Sequence, residues 1–269
     1  MKKYFLILIF FVLAVYVKSQ VDQKKNELFS SESEKLFLGE DLTYVVKYAF
    51  FNLGEVRFKV LEKTRINNKP VYKAIAYIDS YPDLPFVSLH QIYESYIDSA
   101  LFPLKFFAKI FGDDTVFVKY NFLGNSKVEI QKGKYGDFKP WLDSTVYIKH
   151  RMQDGLSLLF FARMNFGEQR TIAVSCFVNE REEITTINYF SNNEPVSIDA
   201  IDYEIDCLRL DGRTDFVSVY GLTGDFEGWF SNDSFSVPIL AKMNVLIGSV
   251  NLELIKWNNQ LWNPPPYKN

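Results

Sequence analysis

The residues that could do chemistry are few, and their spacing decides what chemistry is open to them. Acidic residues recur at i, i+2, in Asp225/Glu227 and in Asp202/Glu204/Asp206. In a strand that spacing places them on one face, and paired carboxylates held at the right separation hydrolyse glycosides. The same alternation, opposite alternating apolar residues, is also the ordinary solvent face of a half-exposed sheet, and that is the reading favoured here. The chain has two histidines, His90 and His150, sixty positions apart and without H-x-x-x-H spacing, so a zinc site has too few ligands. No G-x-S-x-G elbow, phosphate-cradling glycine loop or G-x-G-x-x-G occurs. Asp211-Gly212-Arg213-Thr214-Asp215 lacks the order of a calcium loop and reads as a hairpin turn. On these grounds the chain is expected not to be an enzyme, and neither catalytic residues nor a metal or cofactor site is expected.

Two cysteines remain. Cys176 follows Ile172 and Val174 on one face of a strand-like run, and Cys207 follows Ile201, Tyr203 and Ile205 on another. Both point to the core side, which leaves two readings: a disulfide in an exported protein, or two separate buried thiols. The aromatic groups Phe106-Phe107, Phe160-Phe161 and Phe226/Trp229/Phe230 read first as core packing and second as walls of a ligand site.

The elements that would position these residues are mostly strands. Leu42, Tyr44, Val46 and Tyr48 alternate with polar or opposite-facing positions, and Val56, Phe58 and Val60 do the same after the break at Asn52-Leu53-Gly54, predicting a hairpin. The period of two recurs through most of the chain to Ser249–Trp257, including Val196–Leu210 and Phe216–Tyr220. Asn67-Asn68-Lys69-Pro70, Gly124-Asn125, Gly133-Lys134, Asn192-Asn193-Glu194-Pro195 and Asp211-Gly212 are expected as turns. One segment breaks the pattern: in Asp154–Met164, Leu156, Leu159, Phe160 and Arg163 fall at i, i+3, i+4 and i+7, and Asp154 can cap the start. The expected fold is mainly β: a single domain of curved antiparallel sheet, an open barrel or two-layered clam, with one covering helix.

The 269 residues are 48% hydrophobic, 17% aromatic and 23% charged, with 13 glycines and 10 prolines, which excludes bulk disorder and collagen-like architecture. A net charge of −3 argues against nucleic acid as partner. At the N-terminus, Lys2-Lys3, an apolar run of 14 residues from Tyr4 to Val17, and Lys18-Ser19-Gln20 follow the order of a secretory signal peptide. That run is short for a spanning helix, which needs about 20 residues. The expected organisation is a signal peptide over 1–19, a polar tether over 20–36, a β-rich domain over 37–257 and a Pro-rich tail over 258–269. Cleavage before Gln20 removes Lys2, Lys3 and Lys18 and takes the charge from −3 to −6. The mature chain is expected to be soluble, periplasmic or secreted, and without a transmembrane segment.

Several stretches, in order, carry a resemblance to a known family. They are Gly39-Glu40-Asp41-Leu42-Thr43-Tyr44 with Asn52-Leu53-Gly54, then Tyr96-Ile97-Asp98 and Leu101-Phe102-Pro103, then Asp154-Gly155-Leu156-Ser157 to Arg163. Gly228-Trp229-Phe230-Ser231-Asn232-Asp233, Val237-Pro238 and Ile247-Gly248-Ser249 complete the series. Over about residues 38–255 the chain resembles the bacterial exported domain-of-unknown-function family 3108, with an asparagine at Asn232 where an acid is more usual. The resemblance implies an exported, β-rich protein and brings no reaction with it. Two functions follow from the residues: an envelope protein that binds an apolar or lipid-like ligand, or a structural or adaptor protein of the envelope that presents sheet edges and the Pro-rich tail to a protein partner. A carboxylate-dependent hydrolase is the third and weakest.

Overall fold

The computed structural model describes residues 36–84, 88–137, 139–216, 223–244, 248–258 and 260–268, which belong to one compact unit starting at Leu36. The expected signal peptide, nearly all of the tether and most of the expected Phe216–Tyr220 strand lie outside the described residues.

Strands β1 (Asp41–Tyr48), β2 (Phe51–Ile66), β3 (Lys69–Ser80), β4 (His90–Asp98), β5 (Pro103–Ile110), β6 (Val116–Leu123), β7 (Lys127–Lys134) and β8 (Leu142–Tyr147) form an antiparallel meander. After helix α1 (Ser157–Arg163) a second meander runs through β9 (Arg170–Val178), β10 (Arg181–Val196), β11 (Ile205–Thr214), β12 (Gly224–Ser231), β13 (Pro238–Asn244) and β14 (Ser249–Lys256). β1 pairs with β14, so among the described residues both halves join in one 14-stranded sheet, ordered β8-β7-β6-β5-β4-β3-β2-β1-β14-β13-β12-β11-β10-β9. The fold is thus mainly β, with one helix among the described residues, and its sheet is open: β8 and β9 do not pair.

The segment between those two edges spans the seam. Ile148 N–H donates to the Ser126 carbonyl beside β7 (2.9 Å), Gln153 N–H donates to Ser175 O (2.9 Å), and Phe177 N–H donates to Gln153 O (2.7 Å). The chain then turns inward as α1, whose apolar side chains complete the interior. Leu156 and Phe160 pack with Ala74, Tyr93, Phe106 and Tyr120 from the first meander, while Ala162 packs with Val174, Ile187 and Phe230 from the second. A third cluster, around Tyr44, Ile205, Ile239 and Leu254, fills the space where β1 meets β14. The aromatic excess therefore goes largely into packing: Phe106, Phe160 and Phe177 are among the largest fully buried side chains.

Several boundaries differ from expectation, each for a local reason. The first hairpin turns at Ala49-Phe50, three residues before Asn52, and Gly54 lies within β2. A Cβ there would sit 2.1 Å from Asp79 O, so Gly54 is needed for close approach of β3. Asp211-Gly212 is no turn but the middle of β11, where a Cβ on Gly212 would fall 2.2 Å from Thr186 O and 2.4 Å from the Phe226 ring. Asn192–Pro195 also stays in strand, absorbed by an irregularity of register between Tyr189 and Asn193. Gly133-Lys134 ends β7, with the turn following at Tyr135-Gly136, and the run Val196–Leu210 is split by a loop before β11. The Asn67-Asn68 and Gly124-Asn125 turns form as expected, with Asn67, Asn68 and Gly124 at positive φ (50°, 63° and 67°).

Candidate functional site

A groove of about 430 Å³ opens on the outer face of the sheet where β1, β2 and the end of β14 meet. Three features of register build it. Leu61 is an extra residue between Val60, opposite Ala74, and Glu62, opposite Lys73, so the bulge pushes it outward. Ile255 is likewise unmatched between the pairs Thr43–Lys256 and Tyr44–Leu254. Arg57 and Lys256 both pair with Thr43, from opposite sides, and Lys59 pairs with Asp41. The outward row is therefore Lys256, Thr43, Arg57 across three strands, with Lys59 two residues further along β2.

Asp41 organises these cations. Arg57 donates to both of its carboxylate oxygens (Nε 2.6 Å, Nη2 2.5 Å), and Lys59 lies 3.2 Å away. The hydrogen bonds from Arg57 hold the Asp41 carboxyl below its ordinary range, with Lys59 adding to them against partial burial. Lys256 has no acidic partner among the described residues. The apolar part of the rim is Leu61, 42% exposed, with Trp257 and Val60, and Leu261, also 42% exposed, lines the adjoining crevice. Behind them, a crevice about one water in size runs between Phe37, Phe235, Trp257 and Trp262.

Below the groove the floor is held by a buried ion pair. Arg163, at the end of α1, donates from Nη1 and Nη2 to the two oxygens of Glu40 (2.7 and 2.8 Å), and from Nε and Nη2 to Ser236 O and Phe235 O (3.1 and 3.0 Å). Both side chains are almost fully buried. Asp233 ties in the same loop, accepting from Phe235 N–H and Ser236 N–H through Oδ1 (2.9 and 3.1 Å) and from Trp262 Nε1–H through Oδ2 (2.8 Å). The stretches around Glu40, Arg163 and Asp233 that carry the family resemblance thus converge on one clamp.

A second polar cluster lies at the other end of α1. Asp154 is fully buried; Leu156 N–H and Ser157 N–H donate to its Oδ1 (2.9 and 2.6 Å), and Ser95 Oγ–H donates to its Oδ2 (2.6 Å). Burial pushes its carboxyl up to about 6 against the pull of those hydrogen bonds. Beside it the side-chain amide of Gln153, 0% exposed, has no hydrogen-bond partner at either atom.

The residues singled out from sequence do not assemble into a reaction centre. Asp225 pairs with Arg213 (3.1 Å) and Glu227 with Arg209 (3.4 Å) along the solvent face, while Asp206 accepts from Asn193 and Asn232 (2.8 and 3.0 Å). His90 is exposed, bonded to Asp79 and tilted against Phe111; His150 lies at the seam, 2.7 Å from Ser175 Oγ. No cluster of three or more metal-ligating side chains exists among the described residues. The disulfide reading of Cys176 and Cys207 is corrected: both thiols are free and buried. Cys176 is opposite Glu183 and Cys207 opposite Glu194 on the intervening strand β10, positions separated by more than about 20 Å at a rise of ~3.3 Å per residue. A disulfide needs Cα atoms within about 7 Å. Burial pushes the Cys176 thiol up to about 12 and raises Cys207 further, so neither is a thiolate nucleophile near neutral pH. Sequence reasoning missed the groove, Glu40–Arg163 and Gln153; the Asp41/Arg57/Lys59 combination becomes visible only once β1 and β2 are in register.

An open up-and-down antiparallel sheet curled around one helix defines a β-barrel-like module, its ends held by the clamp and the seam segment. Residues 43–255 match the family described as protein of unknown function (DUF3108), and the chain belongs to that family. A crystal structure of a β-barrel-like protein of domain of unknown function DUF1849 from Brucella abortus is similar in fold, with a TM-score of 0.52, 12% identity, and coverage of 82% of this chain and 97% of that one. A crystal structure described as a candidate lipoprotein, from Parabacteroides distasonis, overlaps 82% of this chain and 96% of its own at 10% identity and a TM-score of 0.32, too distant to carry an argument. No curated protein matches the chain. Among the described residues no helix is long and apolar enough to cross a membrane.

Proposed function

We propose that this protein is exported and works in the cell envelope by binding rather than catalysis, holding an apolar or lipid-like ligand in the groove between β1, β2 and the end of β14. The observation that carries this reading is the exposure of Leu61 beside Trp257 within the groove, with the exposed Leu261 lining the adjoining crevice around the same tryptophan, an apolar strip left open to water next to the cations. The interior enters only as the wall behind the site, because α1 and the aromatic side chains occupy the space inside the sheet. The pairing of Asp225 and Glu227 with arginines, and the burial of both thiols, support binding over hydrolysis. Export is supported by the Lys2-to-Ser19 order.

Native mass spectrometry of protein secreted by a bacterial host, followed by organic extraction, tests the reading. A co-purified amphiphile that is lost from Leu61→Glu supports it. A clean apo mass together with no binding of a fluorescent fatty acid ends it. N-terminal sequencing of the same material tests export, with Gln20 as the expected first residue and a retained Met1 in a membrane fraction as the refuting one.

A second reading, an adaptor without a small-molecule ligand, draws on the β1–β2 tip, where Phe50 is fully exposed and Phe51 60% exposed. It loses the tail as a free arm. Trp262 is buried, Asp206 N–H donates to Pro265 O (2.9 Å), and Tyr267 N–H donates to Glu204 O (2.7 Å), which docks residues 262–267 along the start of β11.

A further inference from the structure

Resting on the groove as the ligand site, we infer that the ligand's polar end is an anionic oxygen group, a carboxylate or a phosphate ester, seated against Lys256 and Lys59 with its apolar part along Leu61 and Trp257. The first support is charge. Three cations, Arg57, Lys59 and Lys256, face the groove against one solvent-facing carboxylate, Asp41, because Glu40 is committed to Arg163 beneath the surface. This excess of positive charge stands on a protein whose net charge is −3, so the patch is set against the general field of the molecule. The second is geometry. Lys256 and Arg57 flank Thr43 in register, two interstrand steps of about 4.8 Å each, so the cations stand in one row across the groove on three adjacent strands.

The third is the division of labour among the cations. The Arg57 fork is already filled by Asp41, to which it donates twice, and Asp41 also draws in Lys59. Arg57 therefore positions Asp41 and Lys59, while Lys256, lacking an acid among the described residues, is left with all three N–H donors for an incoming oxyanion. Leu61, two residues beyond Lys59 on β2, and Trp257, next to Lys256 at the end of β14, line the same groove, so the cations and the apolar strip offer places for the head and the tail of an amphiphile.

The test uses the mature chain and four probes below their micelle concentrations: dodecanoate, dodecyl phosphate, dodecanol and dodecyltrimethylammonium, titrated calorimetrically at low and high salt. Both anions are expected to bind roughly tenfold or more tightly than dodecanol, a gap of ~1.4 kcal/mol that narrows with salt. The cation should bind weakest. Lys256→Met should reduce anion affinity several-fold and leave dodecanol unchanged, with circular dichroism confirming the fold. Whichever of the two anions binds more tightly identifies the headgroup source. Equal binding of dodecanol and the anions overturns the headgroup inference and leaves the groove reading standing. No binding of any probe, or binding indifferent to Leu61→Glu, overturns the groove reading and this inference with it.

Discussion

Asp154 offers the sharpest test of how the helix is held inside the sheet. Its carboxyl is fully buried, and burial raises it from 3.8 to about 6. Between those two values the folded protein binds more protons at this site than the unfolded chain does, so stability falls as pH rises. The contribution is fully present below about 3.8 and is lost once pH passes about 6. Two units at ~1.36 kcal/mol per unit give a penalty of about 3 kcal/mol at neutral pH. Asp154→Asn keeps an oxygen for Leu156 N–H and Ser157 N–H and an amide that can donate to Ser95 Oγ, so it mimics the protonated acid. Denaturant unfolding followed by tryptophan fluorescence, at pH 4 to 8, measures both proteins. Other carboxylates titrate alike in both and cancel in the difference. The stability of the Asp154→Asn variant relative to the unsubstituted protein should rise by about 2–3 kcal/mol from pH 4 to pH 7, with most of the change between pH 4 and pH 6. Parallel profiles, or a variant that loses relative stability with rising pH, would refute the assignment of Asp154 as a carboxylate destabilised by burial.

Three other outcomes follow from the same packing. Arg163→Met should cost about 3–5 kcal/mol in chemical denaturation because it strands Glu40 as a buried charge, and Glu40→Gln in the same background should recover part of that loss; additive losses would count against the pair. Gln153→Met should be neutral or stabilise by about 1–2 kcal/mol, since it removes two buried polar atoms without partners, and a loss above that size would show that the amide is satisfied in solution. Cys176 and Cys207 should both alkylate in denaturant without reductant and neither while folded, as read by intact mass; a non-alkylatable pair would refute the separate placement of the thiols.

Much of the architecture was legible from residue pattern because it is local. The period of two in β1, β2 and their successors, the Asn67-Asn68 and Gly124-Asn125 turns, and the 3–4 spacing of Leu156, Leu159, Phe160 and Arg163 are near-neighbour facts that hold wherever the chain goes. Asp154 was legible as the start of the helix for the same reason, although the regular turns begin only at Ser157. Glycine misled where its cause was not local: Gly54 and Gly212 look like turn residues in isolation, yet each is small because a neighbouring strand or ring occupies the place of its Cβ.

Sequence alone thus determined the fold class and the helix at Ser157–Arg163, both of which depend on composition and short-range period. Tertiary structure decided the rest. Arg163, seen along the helix, is simply a cation suited to the helix end; the pairing of β1 with β14 and the loop before β13 bring Glu40 and Ser236 to it across separations of 123 and 73 residues. The cysteines share a type of face but not a place, because β10 carries their partner positions far apart along its length. The groove arises from two one-residue bulges, at Leu61 and Ile255, and from a register that sets Lys256 and Arg57 on either side of Thr43. Register and long-range pairing are properties of contacts closed over the whole chain, and no window of neighbouring residues contains them.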